Sequence, residues 1–322
     1  MPIPAAQRFK RSLQLVGLLG TAIGAVMISV KTPAGIQGSG LRSLAVIGTV
    51  NEVGSDGITV GDVSYPTSEA TFKIDGQPGN KVQLHKGDVV SLSGTTTADG
   101  AQSFVSEVTF NGSVQGPVAG IDVQAGSFFV LQQAVHVDSQ TVFAEGIEPA
   151  GLAGLQTGEV VEVSAYANAA GELVASRIEA KGNNTSVQVV GALQALDTAR
   201  QTFRVNTLVV NYGGAEVAGV LAEGTVVMIQ GASVAADGTL IASLVEVLPA
   251  PRGQPNTEGR IEGLITGFPS SSYFEVEGQP VIVDAGTKLH LNGALGLDVA
   301  VKVTGTFDAN GVLVASKVKD SK

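Results

Sequence analysis

ANGVLVASKVK at 309–319 decides the fold because it recurs: AAGELVASRIE at 169–179, ADGTLIASLVE at 236–246 and, more loosely, ADGAQSFVSEV at 98–108. Each copy is a turn followed by an alternating apolar run. Asp-Gly and Asn-Gly flanked by such alternation are hairpin signals, and the alternation has the period of a half-buried strand. The turn glycines are Gly100, Gly171, Gly238 and Gly311. Read as two-residue turns, Asp99-Gly100, Asp237-Gly238 and Asn310-Gly311 place both residues at positive φ.

Working outward, the run before each turn opens with Gly87-Asp88-Val89-Val90, Gly158-Glu159-Val160-Val161 or Gly224-Thr225-Val226-Val227, and with Leu297-Asp298-Val299-Ala300 in the last copy. Further upstream, FFVLQQAVHVD at 128–138, FRVNTLVVN at 203–211 and FEVEGQPVIVD at 274–284 match ITVGDVSY at 58–65, again with strand alternation. Each copy begins with a short apolar strand holding a glycine, aligned as Gly48, Gly116, Gly191 and Gly259. Repetition at this interval predicts an all-β chain of four tandem small β-barrel domains, each of five to six strands, preceded by one N-terminal hydrophobic helix. The boundaries fall at 1–44 for the basic tip, helix and tether, then at 45–112, 113–185, 186–253 and 254–322 for the repeats.

Asp138 and Asp284 are each followed three residues later by Thr141 and Thr287. A D-x-x-T pair can ligate a metal. It equally bonds nearby backbone at a strand end, and that reading is preferred because the other copies carry Asn211 and Pro66 there.

The composition fits: Val-rich sequence with 42 Gly, 5% aromatics and no Trp among 322 residues. There is no Cys, which excludes disulfides, thiolate metal sites and cysteine nucleophiles. Residues 1–44 carry Arg8, Lys10, Arg11, Lys31 and Arg42 and no acid, although the net charge is −10. The remainder is therefore strongly acidic and repels phosphate backbones, so no nucleic-acid partner is expected.

Leu13 to Val30 is eighteen residues without a charge, long enough as a helix to span about 27 Å of a roughly 30 Å hydrocarbon core. The preceding basic residues place the N-terminus in the cytoplasm and the repeats in the periplasm or outside the cell. A retained anchor is favoured over a cleaved signal peptide, which would leave a secreted protein. The run exceeds a usual signal core, and the nearest small-x-small site, Thr32-Pro33-Ala34, holds a proline. Gly20 and Gly24 form a GxxxG pair within it, and Thr32–Leu44 reads as a flexible tether.

The combined pattern is an opening G-x-V, a central F-x-V…V-x-V-D-x-x-T, then G-[DE]-V-V, then D-G-x-L-[VI]-A-S-x-[VI]. It resembles a bacterial family of unknown function, made of tandem small β-barrel repeats in exported or membrane-anchored proteins. The resemblance spans 45–320 and implies a barrel fold and an extracytoplasmic setting. It carries over no catalytic or binding residue.

No catalytic, cofactor-binding or metal site is expected. His85, His136 and His290 do not align among the repeats, and a metal site needs several convergent ligands. G-x-S-x-G, P-loop and dinucleotide fingerprints are absent. Asp99, Asp237 and Asn310 lack the alternating acids of a calcium loop. The phenylalanines, Phe104 and Phe129 among them, are assigned to cores. The expected function is an extracytoplasmic, membrane-anchored structural or protein-interaction subunit with membrane or cell-envelope partners. A glycan- or ligand-binding module is the alternative, and a hydrolytic enzyme the lesser one. The sequence leaves the oligomeric state open.

Overall fold

A computed structural model describes residues 40–182, 186–248 and 253–321. The chain is all-β, arranged as small five-stranded barrels in two extended sheets. The proposed membrane helix at 13–30 lies outside the described residues. Among the described residues, no helix is long and apolar enough to cross a membrane.

The second barrel shows the plan. Its strands are Val114–Asp122, Ser127–Val130, Gln133–His136, Val160–Ala167 and Leu173–Ala180. The first pairs antiparallel with the second and the fourth, the second with the third, and the fourth with the fifth. A parallel ladder, Val135↔Leu173 and His136↔Val174, joins the third strand to the fifth and closes the circuit. This is the connectivity of a five-stranded Greek-key barrel of the OB type. Closure removes the sheet edges that a short meander would expose. Segments 187–247 and 258–320 close the same way, through Val210↔Leu240 and Val281↔Leu313.

Inside each closed barrel a phenylalanine of the second strand faces a valine of the third: Phe128–Val135, Phe203–Val210 and Phe274–Val281. All six are buried, as are Leu173, Leu240 and Leu313 from the L-[VI]-A-S run. The serine of that run sits at a β-bulge. Ser106, Ser176, Ser243 and Ser316 each donate to a carbonyl on the fourth strand, at Ser93, Ser164, Gln230 and Thr304. The bulge adds curvature to a strand that must wrap a narrow core, and the hydroxyl satisfies a carbonyl that the broken ladder leaves free.

The two hairpin types differ from expectation. The turn before the fifth strand is a three-residue loop: Asn168 N–H bonds Glu172 O, with Gly171 at φ 86°. Only the glycine takes positive φ there, as in a type I turn followed by a glycine bulge. Both residues are positive instead in the turn between the second and third strands, at Leu131-Gln132 and Glu277-Gly278.

Register also corrects the glycine alignment. Gly48, Gly116 and Gly191 oppose Val90, Val161 and Val227, and in the last barrel the residue so placed is Gly263, opposite Val301, rather than Gly259. The side chain of Glu277 folds over Gly263, where an added Cβ would lie 2.3 Å from Glu277 Cγ.

The first barrel is the exception. Its strands Leu41–Val53, Gly57–Val60, Val63–Pro66, Val89–Thr97 and Ser103–Phe110 follow the same order, but no ladder joins the third to the fifth. Its last loop is one residue longer, since Thr97 N–H bonds Gln102 O. Ser103 consequently stands where the others have leucine, and Pro66, which has no N–H to give a ladder, takes the place that His136 holds opposite Val174 in the second barrel.

The barrels pack side by side. First strands of the first and last barrels form a parallel ladder, Leu44↔Glu258 to Ile47↔Ile261. The second and third barrels meet through Gln115↔Gln188 and Val114↔Val189. At the boundary between the first two repeats, Asn111 is buried and Gly112 N–H donates to Asp75.

Candidate functional site

The polar chemistry of the molecule collects where barrels meet. At the junction of the first, second and last, a cleft of about 390 Å³ is lined by Thr49, Lys86, Asp138, Tyr166, Glu262 and Ser321, among others. The Tyr166 and Thr49 hydroxyls share a hydrogen bond of 2.8 Å. Burial, reinforced by the Glu262 charge, holds the Tyr166 phenol well above its usual range, so it serves as a neutral donor and acceptor. Glu262 accepts from Thr49 N–H at 3.4 Å and from Ser321, and faces Lys302 Nζ at 3.5 Å. Its oxygens thus tie the first barrel to the last two strands of the last one.

A second junction joins the first three barrels. Asp75 accepts from Gly112 N–H at 2.9 Å and from Gln188 Nε2 at 2.7 Å, and Gln230 Nε2 donates to Gln188 Oε1 at 2.8 Å. Glu162 lies beside this network, 3.2 Å from Lys181. Burial and the Asp75 charge push Glu162 up to about 7, against the pull of Lys181. Lys73 adds an ion pair to Glu246 at 2.7 Å.

Two further buried acids tie barrels to the second. Glu277, 3% exposed, accepts from Leu264 N–H at 2.8 Å in its own barrel and from Ala167 N–H at 3.1 Å in the second. Burial pushes it to about 8, and the two N–H bonds only partly offset this. Asp88 accepts from His85 N–H at 2.7 Å and faces Arg177 Nε at 3.5 Å. Burial raises it to about 6, with the N–H bond and Arg177 acting the other way. Beside it, Val89 N–H donates to Ser164 Oγ at 2.8 Å.

The residues weighed from sequence fall apart in space. His85 stands near Asp88, His136 bonds Glu172 at 2.9 Å on the second barrel, and His290 lies exposed on the strand Lys288–His290 of the last. Among the described residues, no group of three His, Asp or Glu is placed to hold a metal ion. Asp138 and Thr141 form a turn: Asp138 N–H donates to Thr141 Oγ1 at 3.0 Å, and Thr141 Oγ1 donates to Ala175 O at 2.7 Å. Asp284 and Thr287 repeat it, with Ala315 O as acceptor. Asp99 and Asp237 likewise accept from backbone N–H groups within their loops. Phe128, Phe203 and Phe274 are core, but Phe104 and Phe129 are 52% and 44% exposed. Glu162 and Glu277 were not singled out from sequence, and Asp88 figured only as a member of the Gly87-Asp88-Val89-Val90 run. The one trace they leave is an acid within an otherwise apolar strand or turn.

No curated protein matches the chain. Among solved structures it is similar to one titled "drosophila Unr CSD456", with 14% identity and a TM-score of 0.20 over 65% of this chain and 99% of that one. A likeness at that TM-score says nothing about what this chain binds. The profile titled "Domain of unknown function (DUF5666)" matches residues 47–104, 115–179 and 258–319. Those three tandem matches together cover more than half of the sequence, and the chain belongs to the DUF5666 family.

Proposed function

We propose that the protein is a non-enzymatic structural or protein-interaction subunit, held at the membrane by residues 13–30 with its barrels outside the cytoplasm. In this reading 186–253 is a further copy of the same domain, giving four: 45–112, 113–185, 186–253 and 254–322. The carrying observation is that the conspicuous buried polar groups are used between barrels. Glu277, Gln188 and Asp88 are buried and each reaches across a junction to a backbone or side-chain partner in another barrel. Polar groups buried in this way make the relative placement of barrels specific, because any other arrangement would leave them unpaired. A fixed multi-barrel body suits a scaffold. Its partners in this reading are other membrane or cell-envelope proteins.

Gentle detergent extraction of the full chain followed by pull-down tests the reading. Stoichiometric co-purification with envelope proteins supports it, and clean recovery as a lone monomer overturns it. A reporter enzyme fused after Lys322 that works only in the cytoplasm would contradict the topology. Sequencing of the mature N-terminus separates a retained anchor from a cleaved signal.

A further inference from the structure

The open seam of the first barrel is a built difference from its neighbours. Three barrels close with a parallel ladder between third and fifth strands, and the first has none. The bulge serine fixes the correspondence, placing Phe104 of the first barrel where the others have Val174, Ile241 and Val314. A large, half-exposed aromatic ring thus replaces a β-branched aliphatic at the lip of the gap. The gap itself is a cleft of about 510 Å³ lined by Ser64, Pro66, Glu69, Gln102, Ser103 and Phe104, among others.

The lining selects a ligand class. It offers hydroxyls, an amide and a carboxylate beside one aromatic face, and no Lys, Arg or His. An anionic ligand would meet Glu69 with no compensating cation, in a protein already at −10. Ser103 already bonds Thr96 Oγ1, but a purely apolar ligand would desolvate the exposed Ser64, Ser68, Gln102 and Glu69 without giving them partners. A pyranose ring has the needed duality: apolar C–H faces that stack on an aromatic ring, and hydroxyls that donate to a carboxylate and exchange bonds with Ser and Gln. A peptide strand inserted into the seam is disfavoured because Pro66, on the third-strand side, has no N–H to give it a ladder bond.

We infer that the cleft between Pro66 and Phe104 binds a neutral oligosaccharide, with one sugar ring stacked on Phe104 and its hydroxyls bonded to Glu69 and Gln102. This goes beyond the subunit reading and does not depend on it.

The test is calorimetric titration of the full chain in a detergent without sugar headgroups, such as an amine oxide. The probes are maltohexaose, cellohexaose and chitohexaose. At least one is expected to bind, with affinity reduced about tenfold or more in Phe104→Ala and reduced in Glu69→Gln. Phe129→Ala, which removes an exposed ring on the second barrel, should leave the affinity unchanged. Circular dichroism checks that each variant is folded, and Glu69→Gln stands alone should Phe104→Ala fail. The proposal is overturned if none of the three sugars binds, or if both cleft variants bind like wild type. It is equally overturned if polygalacturonate binds as well as the neutral sugars, or if tetralysine binds where they do not.

Discussion

Ile58 faces Tyr65 across the second and third strands of the first barrel, at the positions where the other barrels set a phenylalanine against a valine. The aromatic ring has changed strands while the interior stays filled, and both residues are buried. The phenol gives Tyr65 a polar end, which accepts from Arg260 Nη1 of the last barrel at 3.2 Å, with the guanidinium 5.9 Å from the ring centroid. Burial raises the Tyr65 pKa, so the ring remains a neutral acceptor for Arg260.

Exchanging the pair tests this. Tyr65→Val leaves a cavity and is expected to destabilise by about 3 kcal/mol, and Tyr65→Phe by about 1 kcal/mol for the lost hydrogen bond. Ile58→Phe alone overfills the core at a cost of roughly 1–3 kcal/mol. The double exchange Ile58→Phe with Tyr65→Val should cost less than the sum of its single changes. A double-mutant cycle from denaturant unfolding reads the coupling, and strict additivity would show that the two do not share one space.

Glu277 makes the docking of the last barrel on the second depend on pH. Its carboxyl titrates at about 8 in the fold, against 4.5 for an unburied glutamate. The folded chain therefore holds this proton more tightly than the unfolded chain. The resulting stability is complete below about pH 4.5 and is lost as pH rises through 8. Glu162 at about 7 and Asp88 at about 6 act in the same sense over lower windows. The thermal midpoint is expected to rise as pH falls from 9 to 7, and Glu277→Gln should flatten that rise. A midpoint that is flat in the wild type would contradict the assignment.

Asp88 and Arg177 provide a contrast between breaking and neutralising a buried pair. Asp88→Ala leaves the nearly buried Arg177 guanidinium with Glu179 as its remaining carboxylate partner and leaves His85 N–H without its acceptor, and the expected loss is about 1–3 kcal/mol. Asp88→Asn keeps an acceptor for His85 N–H and should cost less. Hydrogen exchange at the 85–90 turn would report the loosening, and equal protection in wild type and Asp88→Ala would refute the role.

Lys73 and Glu246 form a partly exposed ion pair between the first and third barrels. Such pairs contribute about 0–1 kcal/mol. Lys73→Ala is expected to shift unfolding by no more than that, and the shift should vanish in high salt. A salt-insensitive loss of several kcal/mol would mean that Lys73 holds the barrels by packing.

Local pattern was legible where local physics decides the outcome. Alternation in FEVEGQPVIVD and ANGVLVASKVK marked the second, third and fifth strands, because a half-buried strand must show its apolar face every second residue. The D-x-x-T turns were readable for the same reason: Asp138 and Thr141 bond each other and nearby backbone. Phe104 and Phe129 were misassigned because burial depends on which neighbours cover a strand face, and the strand itself carries no record of them.

The sequence by itself determined the all-β class, the repetition and the places of the turns, since these rest on period, glycine and interactions a few residues apart. Only the tertiary structure decided that the first barrel is open and that the first and last barrels share a ladder. It also decided that Glu277 is spent on Ala167 N–H in another barrel. Those outcomes depend on contacts between residues 100 or more positions apart, or on a one-residue change in loop length whose effect appears only where two strands meet. Hydrogen bonding and burial act through space, and no period along the chain encodes which distant strand will supply the partner.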